Sequence, residues 1–351
     1  VIVGAGVIGC EFATIFSNFG RTRVHMIDRA DRILPFEDAD VSGTITRELE
    51  RKGVIIHHGA RLERMEAMPH GVEYTINGPD GRQTVTTELA LLSVGRVPNT
   101  DGLGLEHAGV ERDPTTGAIL VKDTCTSVPH IHVAGDATGS HMLVNLGELE
   151  GRHAVELIRG ASERPLSYDN ASTIMFLDPE VAGVGLNEQE CVRQGIAHRV
   201  ARIDYACIAR AIAMRRTRGF FKLIVTDDDH MRVLGMRAVG EHASSAIQTV
   251  ALMMRTGLGV LELAALTTRT PASPRVCRSA PACCWAPPSS RARSSVTKCT
   301  WAPGGPGPAP KTARRRPPDR SLRPMRRPGV GERRILHELR VRERVQESDD
   351  L

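Results

Sequence analysis

The sequence predicts an α/β protein: first a parallel sheet with helices on its faces, then a separate α+β domain. Three observations carry this. Strand-like and helix-like segments alternate over the first hundred residues, the pattern of a sheet covered by helices. A glycine-rich turn joins the first strand to the first helix. From about residue 171 the texture changes, with several apolar strands and two helices.

The elements follow in order. Val1–Val3 is a short apolar run entering Gly4-Ala5-Gly6, and 7–19 has helical spacing that ends at Gly20, a C-cap residue. Residues 23–27 (RVHMI) form a second strand closed by Asp28. Residues 37–52 read as a helix, acidic at its start and basic at its end, as the helix dipole prefers. Strand-like runs at 53–57, 72–76 and 89–93 follow, with Asn77-Gly78 and Asp80-Gly81 as turn signals. Residues 94–140 are rich in loops, with short strands expected around 118–122 and 131–134 and a helix over 146–160. In the later domain, strands are expected at 198–204, 219–225 and 231–240, and helices near 187–195 and 243–257.

Composition divides the 351 residues in two. The net charge of +5 conceals a basic end: residues 271–351 hold 18 Lys and Arg against 7 Asp and Glu, leaving −6 for the first 270. That stretch also holds 13 of the 21 prolines. Aromatics at 3% disfavour stacking platforms for bases or sugars. No run of 18 apolar residues and no signal-peptide pattern is present, so no membrane partner is expected and the location is read as cytoplasmic. Cys10, Cys125, Cys191 and Cys207 lie singly, without CxxC spacing, as reduced thiols of no special role do. The histidines show no metal-ligand spacing, so no metal is expected. The chain opens at Val1 already inside a strand, which reads as a fragment.

Gly4-Ala5-Gly6-Val7-Ile8-Gly9 is GxGxxG set between a strand and a helix. Gly4 allows the tight turn, Gly6 lets the backbone approach a pyrophosphate, and Gly9 lets helix and strand pack closely. The phosphates would rest on the helix N-terminus. Asp28 follows Gly9 by 19 residues at the end of the next strand, where an acid accepts from both ribose hydroxyls of NAD. The first domain is therefore expected to be Rossmann-like. Asp28 would repel a 2′-phosphate and favours NAD, whereas Arg29 could pair with one, so NADP stays open.

The opening GAGVIGCEFATIF resembles the NAD domain of the FAD-dependent pyridine nucleotide-disulfide oxidoreductases, which include dihydrolipoamide dehydrogenase and soluble pyridine nucleotide transhydrogenase. Three further stretches match in order. Ser93-Val94-Gly95-Arg96-Val97-Pro98-Asn99 resembles the turn that leaves the NAD domain, with Gly95 and Arg96 at NAD. His132-Val133-Ala134-Gly135-Asp136 resembles the second flavin motif, and Met142-Leu143-Val144-Asn145 the stretch passing the flavin ring. Pro179-Glu180-Val181-Ala182-Gly183-Val184-Gly185 resembles the start of the dimerisation domain.

The resemblance implies FAD held by Gly135, Asp136 and residues 142–145, with Glu11 beside the nicotinamide, paired to a flavin-domain lysine missing here. It also implies a homodimer. Hydride would pass between NAD(H) and FAD, and on to a dihydrolipoyl dithiol, free or carried on a protein. A transhydrogenase is the alternative, and a non-catalytic nucleotide-binding remnant the third reading.

At the family's histidine-containing C-terminal turn this chain reads Thr267-Thr268-Arg269-Thr270-Pro271. Back-translated from Thr268 and read one frame over, permitted codons give HPHPRITEGVQECARMLLG, which restores that turn and a following Glu. A single-base deletion after the Thr267 codon is therefore expected. The competing reading is a basic tail contacting nucleic acid through Arg314-Arg315-Arg316. The expected parts are an NAD domain at 1–98, the remaining half of a flavin domain at 99–168, a truncated α+β dimerisation domain at 169–267, and out-of-frame sequence without a stable fold at 268–351. A chain so constituted is expected to be a poor enzyme or none.

Overall fold

The computed structural model describes residues 1–161, 165–265 and 296–298. It begins with β1 (Ile2–Val3), α1 (Val7–Asn18), β2 (His25–Ile27), α2 (Ala39–Arg51) and β3 (Ile55–His57). β4 (Arg61–Met68), β5 (Gly71–Gly78), β6 (Gly81–Thr87) and β7 (Leu91–Leu92) follow. The parallel sheet is there, in the order β3-β2-β1-β7, while β4-β5-β6 forms a separate antiparallel meander. The strand expected at 72–76 is therefore corrected: it is the middle of the meander, not a member of the parallel sheet. The sequence hides β4 and β6 because RLERMEAM and GRQTVTT carry polar residues on both faces.

Alternation across β1 and β2 distributes their side chains to two cores. Ile2 and Met26 face α1 and α2, packing with Cys10, Ala13, Ile45 and Leu49. Val3 and Ile27 face the meander and meet Tyr74 and Ile76.

The middle part holds α3 (Leu105–Ala108), a 3-10 turn at Gly135–Thr138 and α4 (Val144–Ile158). The strands expected around 118–122 and 131–134 are reduced to single bridges, among them Lys122–Cys125 and Cys125–His132. Asp123 and Thr124 have φ of +50° and +73°, turning the chain back before a ladder can extend.

Next come β8 (Ser172–Met175), β9 (Val181–Gly185), α5 (Glu188–Arg193), β10 (His198–Asp204) and α6 (Ala209–Ala213). β11 (Phe220–Thr226), β12 (Val233–Val239), α7 (Ala243–Thr256) and α8 (Val260–Ala265) complete this part. α7 lays Ala246, Ile247 and Val250 on β9 and β12. Of the stretch 268–351, only β13 (Val296–Lys298) is described; it pairs in parallel with β10 at the end of a sheet ordered β13-β10-β11-β12-β9-β8. The expected deletion point, the restored turn and the basic tail lie outside the described residues. No described helix is long and apolar enough to cross a membrane.

A buried charge cluster ties this last sheet to α2. Lys222 of β11 is 1% exposed, and its ammonium donates to Asp38 (2.9 Å), Asp40 (2.9 Å) and Glu188 (2.6 Å). Arg202 pairs with Asp40 at 2.9 Å and lies 4.1 Å over the Phe220 ring. Beside them Arg237 pairs with Glu37 and donates to the Val184 and Gly185 carbonyls. Burial lowers the lysine pKa, but Asp38, Glu188 and Asp40 outweigh it and hold the pKa above the ordinary value. Burial likewise raises the Asp40 carboxyl, yet Lys222 and Arg202 hold it below the ordinary range.

Removing one partner strands the others, so Lys222→Met should destabilise the fold by about 3–5 kcal/mol in denaturant titrations at neutral pH. The sign of the pH dependence follows from the two shifts. The Asp40 contribution is present above the ordinary aspartate value of 3.8 and lost as pH falls through its depressed value. The Lys222 contribution is present below 10.5 and lost as pH rises through its raised value. Denaturation midpoints should therefore fall at both extremes, less steeply in the variant.

Candidate functional site

In an open parallel sheet ligands bind beyond the C-terminal ends of the strands, where the strand order reverses. Here that point lies between β1 and β7, because β2 and β3 extend to one side of β1 and β7 lies on the other. The loops leaving those two strands, Gly4–Gly6 and Ser93–Arg96, face each other across a cleft of about 810 Å³.

The three fingerprint glycines do different things. Gly4 has φ of +98°, and a Cβ there would lie 2.4 Å from the Ser93 carbonyl oxygen. At Gly9 a Cβ would lie 2.0 Å from the Gly4 carbonyl oxygen, so α1 crosses the turn in backbone contact. Gly6 is the exception: its φ is −75°, and a Cβ would meet nothing within 4 Å. The space beside Gly6 is a cradle open to the cleft, and it fits a pyrophosphate. α1 has no side-chain cap at Gly6 and no acid in its first turn, so its end keeps its preference for an anion.

Val7 and Ile8 line the cleft with Gly4 and Gly6, whereas Ala5 is buried and turns to the core. The Ala5 N–H donates to Asp28 Oδ2 (2.5 Å) and the Ala30 N–H to Oδ1 (2.8 Å). Asp28 therefore lies in the cleft and also braces the glycine turn. Gly95 and Arg96 line the opposite wall.

The Arg96 guanidinium is ion-paired with Asp136, so a residue expected at NAD and one expected at FAD are in direct contact. The loop that leaves β7 therefore meets the 3-10 turn of the middle part. Gly135 has φ of +76°, and its N–H donates to Glu150 Oε2 at 2.6 Å. Glu150 is 1% exposed, and its other oxygen accepts from the Tyr168 hydroxyl at 2.6 Å. Burial and the Glu150 carboxylate push the Tyr168 phenol far above its ordinary pKa. Tyr168 in turn stacks on His141, with ring centroids 4.4 Å apart. Sequence reasoning missed Glu150 and Tyr168. The available signal was an acid on the apolar face of α4, where Leu146 and Ala154 are also buried.

Met142 and Leu143 lead into α4, Val144 is 84% exposed, and the Asn145 side chain donates to the Ser172 carbonyl at 3.3 Å. α4 also lacks a side-chain cap and a first-turn acid. Its uncapped end, the Asp136 carboxylate and the exposed residues 143–145 offer donors and acceptors suited to one wall of a flavin site. The Glu11 Oε1 accepts from the Phe176 N–H at 2.9 Å.

A sheet-reversal cleft with a glycine turn, joined to a second acid-bearing turn and an antiparallel domain, defines a dinucleotide-dependent oxidoreductase architecture. Comparison with known proteins makes this specific. Residues 1–163 match the pyridine nucleotide-disulphide oxidoreductase family, and residues 171–279 match that family's dimerisation domain. Dihydrolipoyl dehydrogenase of Bacillus subtilis is 34% identical over 75% of this chain and 56% of its own length. The Mycoplasma pneumoniae protein of that name is 35% identical over 75% and 56%. Among solved structures, LpdA from Mycobacterium tuberculosis superposes with a TM-score of 0.73 at 29% identity, covering 80% of this chain and 60% of that one. The flavoprotein disulfide reductase RclA from Escherichia coli, as a Cu(II) complex, gives 0.73 at 28%, covering 80% and 62%. The chain belongs to the pyridine nucleotide-disulphide oxidoreductases, and it spans a little over half the length of the curated relatives it matches.

The glycine geometry separates folding from binding. Gly9→Ala should disrupt the turn and lower thermal stability. Gly6→Ala should fold normally and weaken dinucleotide binding at least tenfold, about 1.4 kcal/mol, in fluorescence titrations with a reduced dinucleotide.

Proposed function

We propose that the protein binds a nicotinamide dinucleotide along the β1–β7 cleft and works in hydride exchange with FAD, coupled to dithiol–disulphide chemistry of the dihydrolipoyl type. The observation that carries the nucleotide half is the open backbone at Gly6 beside an uncapped helix end. The relatives' name, dihydrolipoyl dehydrogenase, supports the dithiol half. FAD, when bound, would relay electrons between the nicotinamide and the sulfur centre.

The chain's own residues orient and position. Gly4, Gly6 and the start of α1 would hold the pyrophosphate, and Asp28 would meet the adenosine ribose. Asp136, backed by Arg96, and the backbone at Gly135 and 142–145 would contribute one side of the flavin site. Glu150 fixes Gly135, and Glu11 would lie on the nicotinamide side while anchoring the start of the third part through Phe176. Residues matched to the dimerisation domain support a homodimer. The described cysteines do not supply the sulfur pair. All four are free, and burial, followed by the charges of Asp28 and Glu11, pushes the Cys10 thiol to about 12, keeping it protonated and unreactive.

The reading is tested by titrating the purified chain with NADH and with NADPH, then adding FAD and a redox dye. Saturable binding of a reduced dinucleotide is expected, with dye reduction far below that of full-length relatives. Failure to bind either nucleotide would overturn the nucleotide half. Dye reduction at the relatives' rate would overturn the expectation of low activity.

A further inference from the structure

We infer that Cys125 and His132 form a thiol–imidazole pair, oriented by Thr124, that reacts with small aliphatic disulfides to give a mixed disulfide at Cys125. This goes beyond the proposed nucleotide and flavin sites and does not depend on them.

The backbone builds the pair. Asp123 and Thr124, both with positive φ, reverse the chain so that Cys125 bridges back to Lys122. A second reversal over 126–131 returns the chain alongside, where Cys125 bridges to His132. The flanking bonds run from the Thr126 N–H to the Ile131 carbonyl (3.1 Å) and from the Val133 N–H to the Thr124 carbonyl (2.9 Å). Cys125 and His132 are thus the non-hydrogen-bonded pair between them, the arrangement in which opposed side chains approach most closely. Seven residues separate them in sequence, a spacing that by itself points to no pairing.

The side chains complete the geometry. Cys125 Sγ lies 3.9 Å from His132 Nε2, and the other ring nitrogen, Nδ1, lies 3.3 Å from Thr124 Oγ1. Thr124 is 3% exposed, so its hydroxyl is a fixed acceptor for an Nδ1 proton. That tautomer leaves Nε2 as an acceptor facing the sulfur. A nucleophile, a base and a third group orienting the base make up the arrangement of an activated thiol. The sulfur also lies 3.7 Å from the Pro129 carbonyl, which can hold the thiol proton but cannot take it away. Cys125 and His132 are both half-buried, so a small disulfide reaches the sulfur from solvent. The other described cysteines lack this combination. Cys10 and Cys191 are buried, and Cys207 is exposed without a hydrogen-bond partner for its thiol among the described residues.

In the reaction His132 takes the thiol proton and Cys125 Sγ attacks one sulfur of the disulfide. The S–S bond of the disulfide breaks as the new one forms, and the displaced thiolate recovers the proton from the imidazolium and leaves as a thiol. Cys125 is oxidised, the disulfide is the oxidant, and no other reactant is needed.

The test treats the full chain with bis(hydroxyethyl) disulfide and follows each cysteine by peptide-resolved mass spectrometry. At neutral pH the Cys125 adduct should form at least about tenfold faster than the Cys207 adduct, a modest part of what a positioned base supplies. His132→Phe should remove most of that advantage while the Cys207 rate and the circular dichroism spectrum stay unchanged. The deficit should close as the pH is raised to about 10, where a thiol ionises without assistance. Thr124→Val, which keeps the branched shape and removes the hydroxyl, should lose a smaller part of the rate. Cys125 reacting no faster than Cys207, or equally fast in His132→Phe at neutral pH, overturns the pair. A deficit that persists undiminished at high pH also overturns it, because His132 would then act only through structure. If His132→Phe does not fold, Thr124→Val carries the same comparison, and an unchanged Cys125 rate in it overturns the pair.

Discussion

The buried ammonium of Lys222 is the constraint on which the arrangement of the cleft depends. It lies 184 residues from Asp38 in sequence, and the contact joins the last sheet to the start of α2. Asp38 also caps α2 by accepting from the Asp40 N–H (2.9 Å), and its second oxygen accepts from the Glu188 N–H at the start of α5 (3.3 Å). One carboxylate therefore fixes two helix ends and a lysine. The segment just before it inherits that rigidity: Asn187 donates to the Phe36 carbonyl, and the Leu34 N–H donates to the Ala5 carbonyl inside the glycine turn. A contact in the far domain thus reaches the nucleotide cleft through a short series of hydrogen bonds. Buried ion clusters are weak evidence for net stability, because desolvation offsets the Coulomb gain. Their value here is positional.

Helix ends follow the same division between structure and binding. α2 is capped by Asp38, α5 by Asn187, and α7 receives the Glu180 carboxylate on its Ser244 N–H. Those three ends are satisfied within the fold. α1 and α4 have neither a side-chain cap nor an early acid, and they are the two helices that follow the nucleotide-type turns. A free helix end costs stability unless water or a ligand satisfies it. Among the described helices of more than ten residues, the two without any side-chain acceptor at their first turn are those at the proposed cofactor sites, which suits the binding of two anionic cofactors.

The glycine turn, the first helices, Asp28 and the strands β10, β11 and β12 were legible because each depends on local spacing. Gly4, Gly6 and Gly9 carry their roles in their separation, and the long helices carry theirs in apolar periodicity. The meander was less legible. β4 reads RLERMEAM, and with only Leu62 and Met65 half-buried its alternation is lost. The paired turn at Asp123-Thr124 was hidden because neither residue announces a left-handed backbone as glycine does. Lys222, Arg237 and Glu150 escaped notice for a different reason. Their partners are remote in sequence, and a charge without a nearby complement reads as solvated surface until the fold buries it.

Asp28 shows why residue identity at one position does not decide a ligand. An acid after the second strand is a rule for the unphosphorylated dinucleotide because its lone pairs are assumed free for two ribose hydroxyls. In this chain each oxygen already accepts a backbone N–H, one of them from the glycine turn itself. A carboxylate has about four lone-pair sites, so Asp28 can still accept from a ribose, but its position is fixed by the turn rather than by the ligand. The field around it is then set by its neighbours. Pinning residues 28–30 beside 59–60 gives Arg29 and Arg61 a common location that neither has in sequence. What surrounds the acid is therefore set by a backbone pairing between two loops. The acid is the part of it that sequence makes visible.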